Sequence, residues 1–209
     1  MHSRIRINHM VGNANAGVVI GVRNTGGRNL RIKRLNLAIT RDGKPLLQLP
    51  GLNYFESPTS QAAVLFVPFT MKPGESWTHS VSFFNEFDRQ TEKLFRESES
   101  ALTGDIRNKL RMRPENDKDM VVTDAHLVEP FQKLFDRLFV WQPGEYVISL
   151  AVSAEPGSAS FTKKYRFTLY ESDTRELSEY VNDYKYGIGL SFGQEKHSGV
   201  NVSLSEHVG

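Results

Sequence analysis

The spacing of apolar residues changes twice along this chain, and these two changes restrict its fold more than any other feature. From residue 17 to 84 and from 139 to 170, apolar side chains mostly alternate with polar ones, which is typical of strands that bury one face. Between residues 85 and 138 they recur at three- and four-residue steps, which is typical of amphipathic helices. The sequence therefore predicts a mainly β protein with a helical insertion between strands.

Two short motifs predict details of the strands. The apolar residues occupy even positions up to Ile32 and odd positions from Leu35 onward. An extra residue at Lys33-Arg34 would return the later apolar side chains to the core face, which predicts a β-bulge. The stretch 41–44, Arg-Asp-Gly-Lys, predicts a tight hairpin turn because glycine accepts a positive φ.

Two helices are predicted within the insertion. The first should be capped by Asn85, carry Asp88 in its first turn and end before Pro114. The second should begin near Thr123, with Pro130 either kinking it or marking its first turn. We expect the apolar faces of the two helices to pack on each other and on one sheet. The residues of these faces are Leu94, Phe95, Leu102, Phe131, Leu134 and Phe135.

The pattern weakens after residue 170. Residues 171–184 predict a short C-terminal helix that is capped by Ser172, Asp173 or Thr174. Residues 185–209 contain five glycines and only weak alternation, which indicates a loose hairpin or a mobile end. We expect one domain over residues 1–209, with a β-sandwich formed by 1–84 and 139–170, a helical insertion in 85–138, and a C-terminal helix and glycine-rich tail in 171–209.

Two stretches resemble bacterial immunoglobulin-like or fibronectin-III-like modules. Residues 18–26 are similar to the first paired strand and turn of such domains, and residues 142–150 are similar to their penultimate strand. The resemblance covers about residues 17–84 and 139–170, and it implies an immunoglobulin-like β-sandwich. In that family a tyrosine just after the turn often hydrogen-bonds back to the backbone, and the matching residue is Tyr146. Such sandwiches carry many unrelated functions, so the resemblance implies no particular one.

The composition argues against several classes of function. The chain has no cysteine, which excludes disulfides, a thiol nucleophile and thiolate metal ligands. Its longest apolar run, residues 62–67, is far shorter than the roughly 20 residues of a membrane span, so we predict no span. The six histidines show no metal-ligand spacing, and no phosphate-binding loop or nucleophile elbow occurs. We therefore predict no catalytic residue, no metal ligand and no cofactor.

Positive charge is concentrated near the N-terminus. Residues 1–50 hold nine basic side chains and one acidic one, whereas the other residues hold 17 basic and 23 acidic ones. Arg31, Lys33 and Arg34 are therefore candidates for binding an anionic partner. Alternatively, they pair with carboxylates of the helical insertion, which is the outcome we expect. No Phe, Tyr or Trp occurs in residues 1–50, which argues against single-stranded nucleic acid as the partner.

Tyr54 and Phe55 form a second candidate site, within a stretch from residue 50 to 63 that is predicted to be a loop. Their rings either plug the core or form an exposed anchor for sugars or for another protein. We favour the core plug, because a long loop has to be pinned to the rest of the chain at some point.

Three functional hypotheses follow. The leading one is a non-catalytic protein-interaction or structural module of a bacterial protein, with another protein as its partner and an envelope or periplasmic location favoured over a cytoplasmic one. The second is a binder of anionic surfaces or polymers through the basic N-terminal sheet. The third is a carbohydrate-active accessory domain. A pocket lined by convergent polar groups would favour the third hypothesis, and a flat apolar patch would favour the first.

Overall fold

Antiparallel strands make up most of the computed structural model, which describes residues 4–57, 60 and 62–207. The strands in this part of the chain are β1 (Arg4–Met10), β2 (Asn13–Arg23), β3 (Leu30–Arg41), β4 (Lys44–Phe55), β5 (Val64–Leu65), β6 (Phe69–Met71), β7 (Ser76–Phe84), β8 (Gly144–Glu155), β9 (Phe161–Leu169), β10 (Val200–Ser203) and β11 (Ser205–Glu206). The α-helices in the same residues are α1 (Arg89–Met112), α2 (Ala125–Leu138) and α3 (Glu171–Glu179). The prediction of a mainly β protein with helices inserted between strands is confirmed.

The described strands form one nearly closed sheet. Their order along it is β10-β1-β2-β7-β4-β3-β8-β9-β11, with β5 attached to β4 and β6 attached to β3. The sheet has two halves, β10-β1-β2-β7 and β3-β8-β9-β11. β4 joins them, because its first part pairs with β3 and its last part pairs with β7. On the opposite side the consecutive strands β10 and β11 pair with β1 and β9, respectively.

Both halves of the sheet contribute to one apolar core. Alternate residues of β2 are buried from Ala14 to Val22, as the period of two requires. Gly51 lies where β4 passes from one half to the other, and a Cβ there would lie 3.1 Å from both Leu35 Cβ and Val81 Cγ1. Glycine therefore allows the β4 backbone to approach the core closely at this crossing.

Both predicted strand details are confirmed. The register between β3 and β8 shifts between Ile32 and Arg34, which makes Lys33 the extra residue of a bulge. The β3–β4 hairpin turns at Asp42 and Gly43, whose φ values are 49° and 76°. Two consecutive residues with positive φ are the signature of the tight turn that suits a twisted hairpin.

The helix boundaries differ from the predicted ones at their N-termini. The cap of α1 is Asp88, not Asn85, because Asp88 Oδ1 accepts a hydrogen bond from Thr91 N at 2.9 Å. α2 begins at Ala125, two residues after the predicted start, and contains Pro130 within its length. Among the described residues, no helix is both long and apolar enough to cross a membrane.

α1 and α2 pack on each other, and α2 also contacts the sheet, where the Phe135 ring lies 5.4 Å from the His9 ring of β1 between centroids. The ring centroids of Phe95 and Phe131 are 5.7 Å apart, in the centre of a second apolar cluster. This cluster also contains Val11, in the turn between β1 and β2, and Tyr184, in the 3-10 helix that follows α3. Leu94 is 46% exposed, so its predicted burial is wrong, whereas the other five residues of the predicted faces are buried.

Over its described part, the segment after residue 170 forms helices and two short strands, and not the predicted loose hairpin. α3 ends at Glu179 and continues as a 3-10 helix, Tyr180–Tyr186. The start of α3 also differs from the prediction, because the residue that precedes the helix is Tyr170. The backbone N–H of Tyr170 donates to Asp173 Oδ2 at 2.8 Å. The segment then supplies β10 and β11, one for each half of the sheet. Residues 208 and 209 lie outside the described residues.

Candidate functional site

Five basic side chains share the outer surface of β3 and β9, and we call this surface the basic face. Its cations are Arg31, Lys33, Arg34, Lys164 and Arg166, and all five are exposed. β8 lies between the two strands, with Ser153 beside Arg34 and Ser149 beside Lys164 in the ladder. Because neighbouring strands are about 4.8 Å apart, β3 and β9 are separated by roughly 10 Å.

The bulge in β3 concentrates three of these cations. The side chains of Ile32 and Leu35 are both buried, although they are three residues apart, because Lys33 is the extra residue between them. Arg31, Lys33 and Arg34 therefore all remain on the outside. In a regular strand, one residue of such a run would point into the core.

Little negative charge balances the basic face. Lys33 Nζ lies 3.3 Å from Glu155 Oε2, and both side chains are about half exposed. Within residues 4–57, 60 and 62–207, no other cation of the face has a carboxylate oxygen within 4.0 Å. Arg166 Nε donates to Ser205 Oγ at 3.2 Å, which leaves its charge uncompensated. Glu145 is also exposed on the outward side of β8, so five cations and two carboxylates give the face a net charge of +3. An exposed ion pair contributes only about 0–1 kcal/mol.

The expectation that Arg31, Lys33 and Arg34 pair with helix carboxylates is wrong. Lys33 pairs with β8, and neither arginine forms an ion pair with a helical carboxylate of the described chain. Two physical reasons explain this result. The helices pack against the β1–β2 turn and the C-terminal segment, and their acidic residues pair within the insertion, as in Asp105 with Lys109.

The centre of the basic face is flat. The outward residues in the middle of β8 are small, since Ser149, Ala151 and Ser153 alternate there with buried residues. Such short side chains leave the surrounding arginines and lysines free to reach a ligand lying across the strands. Rigid strands also limit the backbone entropy that binding would cost.

Tyr54 and Phe55 do not lie in a loop, because they are the last two residues of β4. Both are half-buried. The Tyr54 ring lies 4.9 Å from the His79 ring and 5.6 Å from the Trp77 ring, between centroids. Phe66 and Phe69 extend the same aromatic cluster. These contacts correct the predicted loop and leave no open aromatic platform at Tyr54.

Sequence spacing gave no role to His9, which the structure buries between the sheet and the helices. Its Nδ1 accepts from Gly12 N at 3.0 Å, so the proton is on Nε2, which donates to the Leu177 carbonyl oxygen at 2.9 Å. Burial lowers the pKa of His9 to about 4, with a smaller lowering by His197 and an opposing effect of the bond to Leu177. His9 is therefore neutral at pH 7.

His197 and Asp183 form the arrangement that most resembles catalytic machinery. His197 Nε2 lies 3.0 Å from Asp183 Oδ2, and the same oxygen lies 2.8 Å from Lys196 Nζ. Partial burial raises the pKa of Asp183, but the bonds to Lys196 and His197 bring it below its usual value. On the other side, His197 Nδ1 would be only 2.1 Å from a Cβ on Gly189. No room remains there for a nucleophile or a substrate.

The surroundings of His197 indicate a structural role. Its ring stacks on Tyr180 at 4.0 Å between centroids, and its carbonyl oxygen accepts from Asn8 Nδ2 at 3.0 Å. The Tyr180 hydroxyl accepts from Gly199 N at 2.9 Å, just before β10. This network fixes the C-terminal segment to β1. No spacing rule could reveal it, since Asn8 and His197 are 189 residues apart.

Metal binding has no evident location in the described chain. Among residues 4–57, 60 and 62–207, no group of three or more His, Asp or Glu residues is arranged to hold a metal ion.

Comparisons with known proteins do not assign this chain to a family. No family model and no curated protein matches this chain. A solved structure of a protein from Archaeoglobus fulgidus aligns with 81% of this chain and 97% of its own length, at 11% sequence identity and a TM-score of 0.34. A TM-score this low supports no conclusion about fold or function.

Proposed function

We propose that this chain is a non-catalytic binding module that contacts an anionic partner through its basic face. The observation that carries the proposal is the net charge of +3 on one exposed surface, with four cations that have no carboxylate partner among the described residues. Charges of one sign on a flat surface raise the local concentration of an oppositely charged partner and speed its association.

We also propose that the fold is an immunoglobulin-like β-sandwich. The support is the conformation of Tyr146, which is fully buried and stacks on Phe167 at 4.9 Å. The Tyr146 hydroxyl donates to the Gln142 carbonyl oxygen at 2.6 Å and accepts from Gln142 N at 3.1 Å. This is the predicted hydrogen bond of a tyrosine to the preceding backbone, and such tyrosine corners recur in sandwiches of this type.

The contacts of the other candidate groups favour binding over catalysis. Asp183 and His197 are engaged with the C-terminal segment, and the Tyr54 ring is engaged with Trp77 and His79. An acidic protein surface, a polyanion and an anionic lipid surface share the chemistry that the basic face would recognise. The test therefore includes one probe of each of these three kinds.

The test compares two charge reversals of equal size. Arg31→Glu with Arg34→Glu alters the basic face, whereas Arg107→Glu with Arg111→Glu alters exposed positions of α1. Retention on heparin, binding to vesicles with and without phosphatidylserine, and binding to a polyglutamate peptide would be measured at rising salt. We expect the first variant to lose binding to at least one anion and the second to behave like the wild type. Equal losses in both variants would show that only net charge matters.

A further inference from the structure

An open groove lies between α1 and α2, and we call it the α1–α2 groove. Its volume is about 360 Å³. One wall is provided by Leu94 of α1, and the remaining lining comes from α2. The lining residues of α2 are His126, Glu129, Pro130, Lys133, Leu134 and Arg137.

The shape of the groove follows from the helix period. The lining residues of α2 recur at three- and four-residue steps between positions 126 and 137, so they form one face of the helix. At 1.5 Å per residue this face is roughly 16 Å long, or three turns. Leu94 and Pro130 supply its apolar surface, since Leu134 is only 2% exposed. Leu94 is 46% exposed although it belongs to the apolar stripe of α1.

The charges along the groove are mainly positive. Lys133 and Arg137 are permanent cations, and Glu129 is the single carboxylate of the lining. Lys133 Nζ lies 3.3 Å from Glu129 Oε2, in an exposed pair that is easily exchanged. Arg137 Nη2 donates to Thr91 Oγ1 at 3.1 Å. Asp88, which lies near Arg137, uses its carboxylate to cap α1.

We infer that the α1–α2 groove binds an acidic amphipathic helix of a partner protein. Apolar side chains one turn apart on that helix would cover Leu94 and Pro130, and acidic side chains at its border would meet Lys133 and Arg137. The walls of the groove are helices, which offer no unpaired strand edge to an extended peptide. Their length and their alternation of apolar and cationic residues instead suit a helix with the opposite charge. The α1–α2 groove and the basic face lie on different elements, so this inference does not depend on the function proposed for the basic face.

A selection experiment with the intact chain tests the inference. A phage-displayed library of helix-forming peptides would be selected on the wild-type protein and counter-selected on Leu94→Asp. Affinities of the enriched peptides would then be measured by fluorescence anisotropy. We expect enriched peptides to be acidic, with apolar residues three or four positions apart, and to bind Leu94→Asp at least roughly tenfold more weakly.

Matched substitutions on α1 provide the controls. Leu110 is also 46% exposed but lies outside the groove, so Leu110→Asp should bind the peptides like the wild type. Lys133 and Lys93 have side chains that are 77% and 76% exposed, and each forms an ion pair with a glutamate four residues away. Lys133→Glu should weaken binding, and Lys93→Glu should not. This second pair keeps the test decisive if Leu94→Asp does not fold.

Several outcomes would overturn the inference. They are a selection with no enrichment above the counter-selected pool, enriched peptides that are neutral or basic, and equal losses of binding in Lys133→Glu and Lys93→Glu. A dimer in sedimentation equilibrium that Leu94→Asp abolishes would instead assign the groove to a second copy of this chain. Heparin retention measures the basic face separately, so failure at one site does not imply failure at the other.

Discussion

Buried His9 should make the stability of this protein depend on pH between pH 6.5 and 4. The pKa of His9 is lowered to about 4 in the folded protein, against 6.5 in the unfolded chain. The unfolded state therefore binds the proton more readily in this interval. The contribution of His9 to the free energy of unfolding is fully present above pH 6.5. It falls as the pH decreases and stops changing below pH 4. A gap of roughly 2.5 pKa units corresponds to about 3 kcal/mol.

The assay is urea unfolding of the wild type and of His9→Gln at several pH values from 7.5 to 4. His9→Gln should lower stability at pH 7.5, since it disturbs the bonds to Gly12 and Leu177. The difference between the two proteins should then shrink by about 3 kcal/mol as the pH reaches 4. Acidic residues such as Asp183 affect both proteins equally, so they cancel in the difference.

Exposed His126 supplies the control for this experiment. The curve of His126→Gln should follow the wild type over the whole pH range. If the curves of His9→Gln and the wild type run parallel instead, the neutral, buried state of His9 is refuted.

Three further substitutions test the fold by thermal or urea unfolding. Tyr146→Phe should cost about 0.5–1.5 kcal/mol, because it removes the bond to the Gln142 carbonyl oxygen, and an unchanged midpoint would remove this support for the sandwich. Gly12→Ala should destabilise the protein more than Gly43→Ala. Both glycines have a positive φ, so both substitutions strain the backbone. A Cβ on residue 12 would also lie 2.8 Å from a backbone oxygen of α2, whereas a Cβ on residue 43 would meet no atom within 4 Å. Equal effects would contradict the close approach of α2 to the β1–β2 turn. Phe131→Ala should cost about 3–5 kcal/mol, since its fully buried ring fills the helical cluster, and a loss below 1 kcal/mol would indicate loose packing there.

Features set by neighbouring residues were predictable from the sequence. The bulge at Lys33 and the turn at Gly43 follow from parity and from backbone preferences within a few residues. The two helices of the insertion follow from a period that extends over several turns. The cap of α1 was misplaced because Asn85 and Asp88 are both good caps, and the choice depends on where the preceding strand ends.

Features set by distant contacts were not predictable. Glycine-rich residues after 185 form β10 and β11 because the edges of β1 and β9 offer them partners. The exposure of Leu94 depends on the angle between two helices, which the period alone does not determine. His9 and His197 acquire their partners from α3 and from the 3-10 helix that follows it.

The basic face was predictable only in part. Arg31, Lys33 and Arg34 attract attention because they stand close together in a basic stretch. Lys164 and Arg166 come from the residues after position 50, which carry a net negative charge as a whole, and they join the face only because β8 pairs with both β3 and β9. The pairing of β3 with β8 joins residues more than 100 positions apart, beyond the reach of local patterns.

The proposed binding function is tested most directly by the salt dependence of heparin affinity for the wild type and the Arg31→Glu, Arg34→Glu variant. Each neutralised anionic group releases counterions, so affinity should fall steeply as salt rises when the basic face makes the contact. We predict tighter binding and a steeper salt dependence for the wild type than for this variant, with Arg107→Glu, Arg111→Glu close to the wild type. Equal affinities and equal slopes for all three proteins would contradict the proposal.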